Sequence, residues 1–182
     1  MITIDKNWTL FLDRDGVINK RIEGYIQRPE QLELIDGVLE TLAKCSKIFR
    51  HIFIVTNQQG IGKKLMTIED LNRVHTFLLE KIKSTGGRID QIYYAPELAT
   101  DPHSQRKPNI HLGLRAKKDF PDLDFHKAIM VGDFPSDLLF GQRLHMKTIW
   151  IPENEQAKSG IEPNEIIPSL AHLFEVISVK KT

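Results

Sequence analysis

The chain has 182 residues, with 25 basic against 24 acidic side chains, a net charge of +1, 41% apolar and 27% charged content. These are the proportions of one soluble globular domain, residues 1–182, long enough to bury a proper core. Balanced charge offers no basic field for nucleic acid or a membrane surface, Cys45 alone cannot form an intrachain disulfide or a multi-thiolate metal site, and no stretch nears the roughly 18 apolar residues of a membrane helix. The N-terminus MITIDKNWTL lacks the basic and apolar regions of a signal peptide, so a cytoplasmic protein is expected.

The first marked stretch is Thr9 to Asn19, TLFLDRDGVIN. Leu10-Phe11-Leu12 suits a strand buried on both faces, and it ends in Asp13, Asp15 and a turning Gly16. Arg14, between the two acids, would point to the opposite face and serve structure rather than chemistry. Lys20 to Gln31 is polar, broken by Gly24 and Pro29, and reads as a loop or flap over the sheet edge. Asp36-Gly37 opens a helix to about Lys47, followed by a β-branched strand from His51 to Thr56 that ends in Asn57, Gln58, Gln59 and Gly60.

Thr67-Ile68-Glu69-Asp70 has the form of a capping box, and Leu71, Val74, Leu78 and Ile82 carry the helix behind it until Gly86-Gly87. His75 and His111 are expected on helix surfaces. Ile89 to Ala95 is the third strand, and a long polar loop leads through Pro108 to Asn109, the expected N-cap of a helix to about Lys118. Ala128 to Val131 forms a fourth strand, followed by Gly132-Asp133-Phe134-Pro135-Ser136-Asp137, a helix to about Leu144 and a last strand, Lys147 to Ile151. Residues 153–165 read as a polar connection, and Pro168 as the first residue of a terminal helix carrying Leu170, Leu173, Phe174 and Ile177. Alternating strands and helices predict an α/β fold, a mainly parallel sheet between helical layers.

Open α/β sheets bind ligands beyond the carboxyl ends of their strands. Three strand ends carry polar clusters there, Asp13/Asp15, Thr56/Asn57 and Asp133/Asp137, and Arg106-Lys107-Pro108 precedes a helix. Carboxylates from two strands suit Mg²⁺, which keeps waters and takes a phosphate oxygen. A lysine and a hydroxyl on the same rim would hold the remaining phosphate oxygens. One aspartate can attack phosphorus while the other moves protons.

FLDRDGVIN, VTNQQGIG, RKPN and VGDFPSD resemble, in order, the four motifs of the haloacid dehalogenase superfamily of phosphatases. Asp-Arg-Asp-Gly with TNQ and RKP is similar to the branch that holds the D-glycero-D-manno-heptose 1,7-bisphosphate phosphatases and the histidinol-phosphatases. The likeness spans about Thr9 to Ile151. It implies the three-layer, Rossmann-like fold of that superfamily without a separate cap domain. It also implies that Asp13 is the nucleophile and Asp15 the general acid/base. Mg²⁺ would be held by the Asp13 side chain, the Asp15 carbonyl and Asp133, with Asp137 orienting metal-bound water. Thr56 and Lys107 would stabilise the phosphoryl group. Glu23, Gly24 and Tyr25, Asn57, Gln58 and Gln59, and Arg106 match substrate-binding positions.

Many members of that branch carry a zinc loop with a Cys-x-His and a Cys-x-Cys pair. Here the corresponding places read Ala95-Pro96-Glu97 and His103-Ser104-Gln105, so no zinc is expected. The expected activity is Mg²⁺-dependent phosphomonoester hydrolysis of a small phosphorylated metabolite, first a heptose 1,7-bisphosphate. Histidinol phosphate is the alternative, followed by a DNA 3′-phosphate, which the near-neutral charge disfavours. A non-catalytic binding protein would lack Asp13 or Asp15, and both are present. Lys63-Lys64 could meet a distal phosphate or water equally well, and Trp8 and Trp150 read as packing.

Overall fold

The computed structural model describes residues 1–154 and 160–180. Its main sheet has six parallel strands. They are β2 (Thr9–Leu12), β3 (His51–Asn57), β4 (Gln91–Ala95), β5 (Ala128–Gly132), β6 (Lys147–Trp150) and β7 (Glu165–Ile166), in the order β4-β3-β2-β5-β6-β7. A separate parallel pair joins β1 (Ile2–Ile4) to β8 (Ile177–Val179). The helices are α1 (Val38–Cys45), α2 (Ile68–Ser84), α3 (His111–Asp119), α4 (Pro135–Arg143) and the short α5 (Leu173–Val176).

Strand alternation divides the core in two. Leu10 and Leu12, Ile52 and Ile54, and Ile129 and Val131 face one side with Val38 and Leu42 of α1 and Val74, Leu78 and Ile82 of α2. Phe11, Phe53, Val55 and Met130 face the other, with Leu112 and Ala116 of α3 and Phe140 of α4. Because both faces are covered, the strand runs are continuously apolar, as parallel strands require. Phe11 packs edge-on against Phe53, with ring centroids 5.2 Å apart, and against Phe140 at 6.4 Å. Among the described residues no helix is long and apolar enough to cross a membrane.

Three expectations are corrected. Asn109 does not cap α3: Ile110 is the N-cap, and the Asn109 amide instead donates to the Ser104 carbonyl at 2.7 Å. No long terminal helix forms after Pro168. A 3-10 turn over Leu170–His172 runs into α5, and Ile177 begins β8. Ile177 satisfies its backbone by pairing with Ile2 rather than by adding a helical turn. Lys147 to Ile151 is not the last strand, since β7 and β8 follow. Of the connection expected over 153–165, residues 155–159 lie outside the described residues.

The capping box is present. The Thr67 hydroxyl accepts from Asp70 N–H at 3.1 Å, and the Asp70 carboxylate accepts from Thr67 N–H at 2.8 Å. α2 is the longest helix described and carries four buried apolar residues, Leu71, Val74, Leu78 and Ile82, so its start matters to the whole layer. Thr67→Ala is expected to lower stability by about 1 kcal/mol, measured by urea unfolding. An unchanged unfolding midpoint would show that the box contributes nothing.

Candidate active site

β2, β3 and β5 lie side by side in register, so the residues after their last turns meet at one edge. Asp13 follows β2, and its N–H still bonds to Val131 O at 3.0 Å. Two glycines make room for acids. Gly16 has φ +87°, and a Cβ there would lie 1.8 Å from Asp133 Oδ2; one on Gly132 would lie 2.1 Å from Asp137 Cβ. Any larger residue at either position would displace a carboxylate.

The centre of the edge is a buried ammonium. Lys107 Nζ lies 2.6 Å from Val55 O, 3.0 Å from Asp13 Oδ1 and 2.6 Å from Asp137 Oδ1. All three side chains are buried. Asn57 holds the Lys107 backbone from β3 by two bonds: Lys107 N–H donates to Asn57 Oδ1 at 3.0 Å, and the Asn57 amide donates to Lys107 O at 3.1 Å. Burial pushes the Asp13 carboxyl above the usual carboxylate range, aided by Asp137 and Asp15 and opposed by Lys107. Burial pulls the Lys107 ammonium down, but Asp13 and Asp137 outweigh it and hold the amine protonated. The other oxygen of Asp137 accepts from Phe134 N–H at 3.0 Å, at the start of α4. Both oxygens of Asp137 are therefore engaged.

Asp15 sits in a second network. As strand alternation predicts, Arg14 points away from the Asp13–Lys107 pair, toward His75 of α2; it is fully buried and forks the neighbouring carboxylate. Its Nη2 lies 2.9 and 3.0 Å from the two oxygens of Asp15, and Nε 3.2 Å from Oδ1. The Asn19 and Gln58 amides each donate to Asp15 at 2.9 Å. Burial favours the neutral acid, but the Arg14 charge and these bonds overcome it and hold Asp15 below its ordinary range. Behind Arg14 lies His75, which is buried rather than on the surface of α2, with Nε2 3.2 Å from Arg14 Nη1. His111 and His103 are exposed.

Above the edge opens a cleft of about 530 Å³. Thr56 lines it while buried, its hydroxyl accepting from Gln58 at 2.9 Å. Gly24, Tyr25, Gln59 and Arg106 line it too. Arg106 reaches the Glu97 carbonyl only at 3.4 Å, near the limit of a hydrogen bond, which leaves most of its fork to the cleft. Tyr25 is seated on Gly60, where a Cβ would come within 2.8 Å of the ring, and Lys63 Nζ lies 5.5 Å from that ring's centre. Glu23 is exposed, beyond the lining residues. Asn57 and Gln58, which the family pattern gives to substrate, direct their amides to Lys107, Asp15 and Thr56.

Asp13, Asp133 and Asp137 each bring an oxygen within 4.8 Å of the others. This hard-oxygen set suits Mg²⁺. Asp137 is held on both oxygens by buried groups, Lys107 and the Phe134 N–H, whereas Asp133 is held by the surface Arg21, so Asp13 and Asp133 are the side chains freer to turn to an ion. Burial raises Asp133 above the ordinary carboxylate range, against the hydrogen bond from Arg21. Arg21 and His75 are participants that no motif marks, and Arg14 and Asn19 are participants to which the first motif assigned no place in the site. Asn19 and Arg14 belong to the first motif, but Arg21 is a lone cation in a polar loop, and His75 shares the helical spacing of the core residues of α2.

The family model described as HAD-hydrolase-like matches residues 104–173. The D-glycero-D-manno-heptose-1,7-bisphosphate 7-phosphatase of Chlorobaculum tepidum is 31% identical over 170 residues, which cover 87% of this chain and 85% of the relative. The D-glycero-alpha-D-manno-heptose-1,7-bisphosphate 7-phosphatase of Mycobacterium bovis is 38% identical over 132 residues, covering 72% and 70%. Among solved structures, the D,D-heptose 1,7-bisphosphate phosphatase of B. bronchiseptica, complexed with magnesium and phosphate, has the same fold, with a TM-score of 0.82 at 22% identity over 96% of this chain and 97% of that one.

Burial, and secondarily the Arg14 charge, lowers His75 from 6.5 to about 3. The folded ring is neutral, while the unfolded one takes up a proton below about pH 6.5, so this contribution is complete above that pH and is lost as pH falls toward 3. Between pH 7 and 5 the wild type is expected to lose about 2 kcal/mol that His75→Gln keeps. Urea unfolding at the two pH values measures this, and equal losses would show that His75 does not carry the acid sensitivity.

Proposed function

The chain belongs to the haloacid dehalogenase-like phosphatases, and from that premise we propose a Mg²⁺-dependent phosphomonoesterase that acts in the cytoplasm on a small sugar phosphate, best a D-glycero-D-manno-heptose 1,7-bisphosphate. The whole chain, residues 1–182, would act as one catalytic unit. The observation that carries the proposal is the buried Lys107 ammonium held between Asp13 and Asp137, with Asp15 beside it on an independent network.

In this reading Asp13 is the nucleophile. Its Oδ1 is bonded to Lys107, which keeps the carboxylate oriented and offers positive charge where phosphoryl oxygens gather. Attack of a carboxylate oxygen on phosphorus gives an aspartyl phosphate and releases the sugar alkoxide, which takes a proton from Asp15. Arriving phosphate places negative charge near Asp15 and raises its proton affinity for that step. In the second half Asp15, returned to its anionic form by Arg14, Asn19 and Gln58, takes a proton from the attacking water. Thr56 and Lys107 hold the phosphoryl oxygens through the transfer. Asp13, the Asp15 carbonyl and Asp133 would hold Mg²⁺, which when bound neutralises phosphate charge and aligns the phosphoryl group. Asp137 would act by fixing Lys107 and by orienting water beside the ion.

Substrate choice would rest with the rim. Tyr25 and Gly24 of the flap, Gln59, and the Arg106 fork fit a polyhydroxylated sugar bearing a second phosphate, since a guanidinium matches phosphate bidentately. The naming of the curated relatives supports a heptose bisphosphate over histidinol phosphate. We further propose that the loop over 96–108 needs no zinc. It contains no thiolate, and Ser104 ties it together by accepting from the Asn109 amide and the Arg106 N–H.

Asp13→Asn is expected to lower kcat by about 10³-fold or more with folding intact by circular dichroism; full activity would remove the covalent mechanism. Phosphate release from heptose 1,7-bisphosphate, other sugar phosphates, histidinol phosphate and a 3′-phosphorylated oligonucleotide tests the substrate, and a dominant kcat/KM for histidinol phosphate would overturn the choice. Stoichiometric zinc by elemental analysis would refute the zinc-free loop.

A further inference from the structure

Arg21 stands in the loop after β2, and its guanidinium crosses the cleft edge to the far motif. Nε lies 2.6 Å from Asp133 Oδ2 and Nη2 2.8 Å from Oδ1, so both oxygens of that carboxylate are taken in a fork. The cation also lies 5.7 Å from the centre of the Phe134 ring. The Asp133 side chain is 8% exposed while that of Arg21 is 47% exposed, so the anion is fixed inside and the cation reaches it from the surface. Gly16, by lacking a Cβ, leaves the space that the Asp133 carboxylate and Arg21 Nε occupy.

A divalent ion at Asp133 would compete with the guanidinium for the charge and lone pairs of that carboxylate. We infer that Arg21 and the divalent ion compete for Asp133. The ion must draw at least one Asp133 oxygen from the fork, and Arg21 is thereby freed toward the cleft it already lines. The inference rests on the reading of Asp13 and Asp133 as ion ligands. Electrostatics gives the sign. Asp13, Asp133 and Asp137 face two cations, Lys107 and Arg21, and removing one of them leaves a more negative seat for a doubly charged ion. Arg21 therefore acts as a positioning residue for Asp133 and sets the ion concentration at which the site loads.

The test uses the full chain without substrate, with Mn²⁺ binding followed by electron paramagnetic resonance and titration calorimetry. Arg21→Gln is expected to bind Mn²⁺ about 5- to 10-fold more tightly than wild type, with Arg21→Lys, which keeps the charge but not the fork, between them. Linkage requires a second sign. Arg21→Gln should melt below wild type in chelator, and the gap should shrink in saturating Mg²⁺. A simple latch between flap and motif would leave the same gap in both buffers. Equal or weaker Mn²⁺ binding by Arg21→Gln, or an unchanged gap, overturns the inference. Asp133→Asn separates it from its premise. If wild type binds Mn²⁺ and Asp133→Asn does not, the ligand reading stands whatever Arg21→Gln does. If the two bind alike, that reading fails and takes the inference with it.

Discussion

The site depends on one buried ammonium. Taking the Lys107 charge out of water carries a penalty of several kcal/mol, and the fold meets it with three acceptors from three segments: Val55 O of β3, Asp13 after β2 and Asp137 in α4. None of these is optional. Asp137 without Lys107 would keep only the Phe134 N–H for its charge, and Asp13 would lose the strongest influence that opposes its burial. Two backbone bonds from Asn57 hold the lysine in place, so the second motif acts on the third before any ligand enters. The pieces therefore stand or fall together.

The two aspartates of the first motif are separated by environment rather than by chemistry. Asp13 shares its proton affinity with a lysine that also serves a second acid, while Asp15 has an arginine to itself and two amides besides. Behind that arginine sits a neutral histidine rather than another acid, so Arg14 has no rival carboxylate to draw it away. The two neighbouring carboxylates are thereby held at different proton affinities, Asp13 raised and Asp15 lowered, although Asp15 still pushes Asp13 upward.

Much of this was legible in the sequence where the signal was local. Apolar runs that end in acids mark β2 and β5, the capping box marks α2, and the motif spacing marks Asp13, Asp15, Asp133 and Lys107. What escaped depends on distant partners. Ile2–Ile4 is too short to read as a strand until Ile177–Val179 is known to lie beside it. Alternation turns Arg14 away from Asp13, but no local pattern says that it is buried there and forks Asp15. His75 shares the helical spacing of core residues, but nothing in that pattern says that its face meets a guanidinium. Arg21 has no pattern at all, since its partner is Asp133, across the cleft from its own loop.

The pairing of β1 with β8 sets a timetable. During synthesis residues 2–4 leave the ribosome long before their partners, which follow only after residue 177 has been added. At about 5–20 residues per second the early strand waits on the order of ten to thirty seconds. Over most of that interval β2 is also incomplete, because it is central and needs both β3 and β5. A nascent chain thus carries its acidic first motif without its full set of neighbours until β5 has been made, and the β1–β8 pair forms only later.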